Sequence, residues 1–339
     1  MKSVLIVGAG GFIGGFICKR ALESGYDTTA GIRPSTSRDF LQDERLKFLE
    51  FDYSSVEAIE KTLSESGQTW DYVIYNLGAT KCTNFRDFNR INFECLRNFA
   101  TALRNCGKAP EKFLYVSSLS ALGPGDEKGY EPLTETMYPR PNTKYGLSKI
   151  KAEQWLETQS GLNWIIFRPT GVYGPHEKDY LMMIQCIDKH FDFGVGFRKQ
   201  MLTFIYVEDL VEAMFMALEK APTLRKYNIS EPRSYSQSEF RKIVAELLGR
   251  KLVVPVRLPL WAVKGVSAVA EKIGALTGKP STLNSDKYQI MKQRNWNCTT
   301  DAAKSDFGFV AKTDLREGLR KTLAAYRTNE PPHIRRLRI

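Results

Sequence analysis

Through the first half of the chain, short and mainly apolar runs alternate with stretches whose apolar residues recur every three or four positions. The runs at 3–7, 27–32, 46–51, 72–76, 113–117 and 164–167 have the length and the β-branched or aromatic content of buried strands. Between them, 12–23, 56–66, 88–105 and 143–157 carry the helical period. This alternation predicts an α/β fold with a doubly wound parallel sheet. After Pro175 the rhythm changes, and helical patterns predominate. Short strands are expected there at 202–206, 227–229 and 253–256.

Composition narrows the class. The chain has 339 residues, enough for two lobes around one cleft, and a net charge of +11. No helix-turn-helix, zinc-finger or RNA-recognition pattern accompanies that charge, so nucleic acid is not the expected partner; a polyanionic cofactor or an anionic membrane surface suits it better. The six cysteines lack metal or redox spacing and read as small buried apolar residues, and the three histidines are scattered, so no metal site is expected. The start of the chain is punctuated by glycines and lacks a cleavage pattern, which argues against a secretory leader. No stretch is long and apolar enough to span a bilayer. A cytoplasmic protein is expected.

Candidate chemistry begins with the loop from Val7 to Gly14. Gly8, Gly11 and Gly14 stand at three-residue intervals between a predicted strand and a predicted helix. Glycine there permits a tight turn and close approach of the backbone to a pyrophosphate, which the first amides of the helix then face. Chains of this type that select NAD carry an acidic residue at the end of the second strand. Here Arg33, Pro34, Ser35 and Arg38 follow instead, with no carboxylate among them. Arg33 and Arg38 can form charge-assisted bonds to a 2′-phosphate, so NADP(H) is favoured, with NAD(H) as the alternative. Arg33 lying over the adenine ring is the other reading of that side chain. Asp52 suits a hydrogen bond to the adenine amino group, or it is a turn carboxylate.

Tyr145 and Lys149 lie four residues apart on one predicted helix, hence on one face. A free phenol has a pKa near ~10, so a nearby ammonium is expected to favour the phenolate. The tyrosine can then exchange a proton with a substrate hydroxyl or ketone. Ser118, just after the strand that runs to Ser117, is expected to present its hydroxyl to the same oxygen.

With these motifs in this order, the chain resembles the extended short-chain dehydrogenases/reductases, also called the NAD-dependent epimerase/dehydratase family, over nearly its whole length. The resemblance implies a Rossmann NAD(P)-binding domain over 1–175, with contributions from about 200–230. It implies a smaller, mainly helical substrate lobe over 176–330 and a tail over 331–339. It assigns catalysis to Ser118, Tyr145 and Lys149, with Asn92 supporting a proton-relay water. It assigns the cofactor to Gly8, Gly11, Phe12, Ile13, Gly14, Arg33, Ser35, Arg38, Asp52, Tyr53, Leu77, Gly78, Ala79, Lys149, Pro169 and Val172. Phe204-Ile205-Tyr206-Val207-Glu208-Asp209 is similar to the family's strand-then-cap segment, Asp209 reading as a structural cap. Relatives often form homodimers through helices like 88–105 and 143–157.

Two departures bear on substrate. Sugar-nucleotide members carry an asparagine where this chain has Gly171, and a diphosphate-binding arginine where it has Leu202; Arg198 and Lys199 stand close enough to compensate. The segment 258–278 predicts an amphipathic helix with Lys264 and Lys272 on its edge. It reads either as a helix packed on the second lobe or as a lid touching an anionic membrane at its inner face. The C-terminal region resembles the 3β-hydroxysteroid dehydrogenase and dihydroflavonol reductase-like branch. That implies reduction of a ketone, or oxidation of the alcohol, on a bulky hydrophobic molecule such as a keto-sphingoid base or a steroid-like compound. An elongated substrate is expected to run along Tyr173, Met182 and Trp261. A nucleotide-sugar epimerase or dehydratase is the alternative, and a non-catalytic dinucleotide-binding subunit or sensor a further one.

Overall fold

The computed structural model describes residues 1–82, 84–277 and 284–328. Its first half runs β1 (Ser3–Val7), α1 (Phe12–Glu23), β2 (Asp27–Ile32), β3 (Lys47–Glu50), α2 (Val56–Ser66), β4 (Tyr72–Tyr75), α3 (Phe85–Asn89), α4 (Cys95–Asn105), β5 (Lys112–Val116), α5 (Lys144–Glu157) and β6 (Trp164–Pro169). The second half runs β7 (Gly171–Tyr173), α6 (Lys178–Asp188), β8 (Phe191–Val195), β9 (Met201–Tyr206), α7 (Val207–Lys220), β10 (Arg225–Ile229), β11 (Ser234–Ser236), α8 (Gln237–Leu247), β12 (Val254–Leu258), α9 (Leu260–Thr277), α10 (Ser285–Lys292), α11 (Asp301–Phe307) and α12 (Leu315–Thr328). The tail expected over 331–339, and residues 278–281 of the C-terminal segment, lie outside the described residues.

Seven parallel strands form the main sheet in the order β10-β6-β5-β4-β1-β2-β3. Alternate side chains of β1 serve two cores. Val4 and Ile6 pack with Ile17, Ala21 and Met214 of α1 and α7, whereas Leu5 and Val7 pack with Leu63, Phe99 and Leu156 of α2, α4 and α5. The strand order turns back between β1 and β4, so the carboxyl ends of these strands open a crevice, the place where ligands of such sheets bind.

Three differences from the sequence expectations have local causes. The helix expected over 88–105 starts at Phe85 and contains a π turn, Arg90–Glu94, between α3 and α4. A widened turn of this kind leaves no mark on a 3.6-residue period. The strands β7, β8 and β11 were not anticipated, two being only three residues long and β8 turning Phe191 and Phe193 outward. All six cysteines are free, but only Cys18 is fully buried; the other five are half-buried.

The second lobe combines the sheet β11-β9-β7 with the pair β12-β8. Its core gathers Tyr173, Phe204, Tyr235 and Phe240 with Leu315 and Leu319 of α12. Tyr173 is fully buried there and donates its hydroxyl to Asp314 O at 3.2 Å. It therefore cannot line a substrate tail, as its sequence position had suggested; its polar end is taken up within the core. Asp209 accepts from the amide of Thr313 at 2.7 Å, so its carboxylate joins α7 to the segment before α12.

Candidate functional site

The glycine loop has the geometry that its composition predicts. Gly8 has φ +83°, and a Cβ there would stand 2.7 Å from the amide nitrogen of Leu77, so neither the backbone nor the space admits a side chain. At Gly14 a Cβ would collide with the carbonyls of Gly8 and Ala9, which fixes the close approach of α1 to β1. Gly11 differs, because an added Cβ would meet nothing in the chain nearer than 3.6 Å. Its bareness thus leaves room for something outside the chain. Gly11 is also the N-cap of α1, with no capping side chain and no acidic residue in the first turn. The leading amides, with those of Phe12 and Ile13 among them, are open to an anion. The loop and helix start therefore fit a dinucleotide pyrophosphate.

The region after β2 distinguishes the two arginines. Arg33 and Ser35 are exposed, and Arg33 has its backbone N–H held by Thr36 Oγ1 at 3.1 Å. Arg38 is engaged elsewhere: it pairs with Glu50 at 3.2 Å and lies 4.2 Å from the centre of the Phe48 ring. Arg38 would leave this half-exposed pair to reach a 2′-phosphate, so Arg33 is the readier candidate. Asp52 accepts from Ser54 N at 2.9 Å, the turn role, while remaining exposed at the end of β3. The Tyr53 ring is buried against Phe51 and Phe99, so only its backbone can face a cofactor.

Across the crevice, β5 ends below Ser117 and Ser118, and α5 delivers Tyr145 and Lys149. Thr143 caps α5 by accepting from Gly146 N. Lys149 is buried and donates to Val116 O at 2.8 Å. A Cβ at Gly78 would stand 3.1 Å from Asn92 Oδ1 and 3.2 Å from Lys149 Nζ, so the Leu77–Gly78–Ala79 turn rests on both side chains. Asn92 is fully buried in the π turn. Its amide bonds Ala79 on both sides, accepting from N at 2.7 Å and donating to O at 3.0 Å, and also donates to Ser148 Oγ at 2.9 Å. Ser148 in turn donates to Tyr145 O at 2.7 Å. The π turn thereby ties the loop after β4 to the helix that carries Tyr145. Pro169 ends β6, the strand beside β5, and Val172 stands in β7.

The electrostatics differ from the simple expectation. Burial pushes the Tyr145 phenol up to about 12, opposed by a hydrogen bond with Ser118. Burial likewise pushes Lys149 down to about 7, opposed by the charge of Glu153. The expected lowering of the phenol by Lys149 is absent in the chain itself, because desolvation favours the neutral form of each group and Lys149 donates to Val116 O.

Four partners of this centre were not legible in the sequence. Glu153, one turn beyond Lys149, is fully buried and pairs with buried Arg168, the shortest contact being 2.6 Å; it also accepts from the Ser117 hydroxyl. At the other end of α5, Asp286 accepts from Lys144 N at 3.0 Å and Tyr145 N at 2.9 Å. Glu271 of α9 pairs with Lys144 Nζ at 2.8 Å. Arg168 lies 15 residues from Glu153 and Asp286 lies 141 residues from Tyr145, so no local pattern marks either.

The seven-stranded parallel sheet and the glycine loop define an NAD(P)-binding Rossmann fold. The chain belongs to the NAD dependent epimerase/dehydratase family, whose model matches residues 4–230. It is similar to the ceramide reductase of Caulobacter vibrioides, 24% identical over 96% of this chain and 94% of that one. It is also similar to the UDP-glucose 4-epimerase of Vibrio cholerae, 23% identical over 96% of this chain and 95% of that one. Among solved structures, dTDP-glucose 4,6-dehydratase from Bacillus anthracis in complex with NAD shares the fold. Its TM-score is 0.76 at 18% identity, over 97% of this chain and 98% of that one.

The Glu153–Arg168 pair yields a stability prediction. Arg168→Met should destabilise the protein by about 3–5 kcal/mol, because a buried carboxylate loses its counter-charge. Adding Glu153→Met should recover much of that loss. Urea denaturation of the two variants checks both statements; equal stability of Arg168→Met and the parent would contradict them.

Proposed function

We propose that the chain reduces the ketone of an elongated apolar lipid with NADPH, or oxidises the corresponding alcohol. The observation that carries this reading is the filling of the position where sugar-nucleotide relatives place a polar ligand. A Cβ at Gly171 would collide with the Tyr180 phenol, so the room for an asparagine side chain is already taken by an aromatic ring. Leu202 packs in an apolar cluster with Leu119, Leu122, Leu133 and Trp296, which begins one residue after Ser118. Of the two cations close in sequence, Arg198 donates to Glu127 O at 2.9 Å and faces the Glu127 carboxylate, and Lys199 is exposed at the surface. The wall next to the proposed reacting centre is therefore apolar where a diphosphate would need donors. Similarity to a ceramide reductase supports the same substrate class, and similarity to a UDP-glucose 4-epimerase supports the competing one.

When bound, NADPH supplies the hydride to the carbonyl carbon. Ser118 holds the carbonyl oxygen, and Tyr145 transfers its phenolic proton to that oxygen, giving the alcohol. With its pKa pushed up to about 12, Tyr145 is protonated at neutral pH, the form that a proton donor requires. In its protonated form Lys149 adds positive charge on the same helix face and favours loss of that proton as transfer proceeds. Arg33 and Ser35 would hold the 2′-phosphate, and the uncapped start of α1 the pyrophosphate.

Tyr145→Phe keeps the ring and removes the proton. Turnover should fall at least ~10²-fold while cofactor binding stays nearly intact. A variant with normal turnover would remove Tyr145 from its role.

Arg33→Ala should weaken NADPH binding by about 1.5–3 kcal/mol and change NADH binding much less. Titration of both cofactors by fluorescence measures this; equal weakening, or a parent protein that prefers NADH, would contradict the assignment.

Substrate class is tested by NADPH oxidation and calorimetry across a homologous keto-lipid series, with UDP and UDP-glucose alongside. Each buried methylene adds about 0.8 kcal/mol, so affinity should rise with chain length. Micromolar binding of UDP-glucose with no dependence on lipid length would assign the chain to epimerase or dehydratase chemistry instead.

A further inference from the structure

A continuous apolar surface lies on the second lobe and is covered by nothing among the described residues. It starts on the β8–β12 pair. In the parallel register Phe191 stands beside Val254, Phe193 beside Val256 and Val195 beside Leu258, so these side chains share one face. Phe191, Phe193, Val254 and Leu258 are all exposed on it, and the two phenylalanine rings stack at 6.1 Å. The opposite face carries buried Asp192, paired with Arg241 at 3.4 Å and Arg257 at 3.6 Å. The ribbon is thus turned inside out, with its charge held inward and its apolar row outward.

The same inversion continues into α9. Ser267 is buried, donating to Val263 O at 2.7 Å, while Trp261 is 79% exposed and Val266 and Val269 are each 58% exposed. Between ribbon and helix lies Phe197, 77% exposed, in a loop that is firmly held. Buried Arg294 donates to Val195 O at 2.9 Å and to Arg198 O at 3.2 Å, clamping the backbone on both sides of Phe197. Exposure of this ring is therefore a built feature of the loop.

Charge identifies the occupant. Residues 189–199 and 250–272 contain eight Lys or Arg and two acidic residues. Both acids are spent internally, Asp192 as described and Glu271 on Lys144. Lys189, Lys199, Lys251, Lys264 and Lys272 are exposed, and among the described residues none of them is paired with a carboxylate. An apolar row fringed by unpaired lysines matches a bilayer carrying anionic headgroups, where rings and aliphatic side chains enter the acyl boundary and ammonium groups meet phosphates. A second copy of the chain would bring the same lysines against one another.

We propose that Phe191, Phe193, Phe197, Trp261 and Val266, with their lysine fringe, form a docking surface for an anionic lipid bilayer. The surface shares α9 with the contact between Glu271 and Lys144 at the start of the catalytic helix, so a docked protein holds its cleft at the bilayer. This is independent of the substrate reading, because vesicle binding requires neither cofactor nor ketone.

Sedimentation with vesicles of phosphatidylcholine alone, or of equal parts phosphatidylcholine and phosphatidylglycerol, tests it. Binding should favour the phosphatidylglycerol vesicles by roughly ten-fold or more and weaken as salt is raised. The variant Phe193→Ser/Phe197→Ser/Val266→Ser should lose that binding while keeping its circular dichroism and NADPH affinity. Lys251→Glu/Lys264→Glu should lose the preference for phosphatidylglycerol. Equal sedimentation of the parent and both variants, or no binding to either vesicle, would overturn the proposal. So would dimerisation in solution that the triple serine variant abolishes, since the apolar row would then belong to a second copy.

Discussion

The buried pair between Glu153 and Arg168 is the contact on which the arrangement of Tyr145 and Lys149 rests. It joins α5 to β6, and through the Ser117 hydroxyl it reaches the end of β5. Each charge is fully enclosed, so each depends on the other and on surrounding donors and acceptors. Arg168 finds a further acceptor in Glu135 O at 3.4 Å, and Glu135 in turn accepts from Asn228 N at 3.0 Å. Such a pair contributes little net stability over an apolar substitute. Its effect is on geometry, because the helix that carries Tyr145 and Lys149 cannot shift along the sheet without stranding a charge. Its negative end also faces Lys149, partly offsetting the burial that favours the neutral amine.

Positioning and desolvation act together in the same cluster. The crevice keeps Tyr145 protonated and Lys149 near its midpoint because both have lost water, while Asn92 and Ser148 hold the surrounding backbone. The π turn is what allows Asn92 to bond both edges of Ala79 and still reach Ser148. A regular α-helix through the same residues would turn that amide elsewhere. The Tyr180 phenol stands against Gly171 and Leu202 turns into an apolar cluster, and the proposed substrate class rests on this bulk.

Much of the nucleotide half was legible in the sequence because its signals are local. The glycine spacing, the alternation of runs and the four-residue step from Tyr145 to Lys149 are all carried within a few residues. β1, α1, β2 and α2 fall at the bounds that the pattern predicts. What stayed hidden depends on contacts across the chain. Arg38 is one of two similar arginines after β2, and only the presence of Glu50 and Phe48 on β3 shows that it already has partners. Tyr173 has the composition of a cleft residue, and only the packing of α12 over it shows that it belongs to a core. The β8 strand alternates apolar and polar residues as a strand should, but with its faces exchanged, so a rule that points apolar residues inward misplaces it.

The carboxylate of Asp286 bonds the backbone amides of Lys144 and Tyr145 from α10. A growing chain therefore makes the nucleotide crevice and the whole of α5 long before it makes the group that completes the first turn of that helix. The final alignment of Tyr145 waits until α10 has been made. Assembly of the Tyr145 end of α5 is thus delayed until the second lobe is present. For the same reason that lobe cannot be exchanged for another without supplying an equivalent acid at the same place.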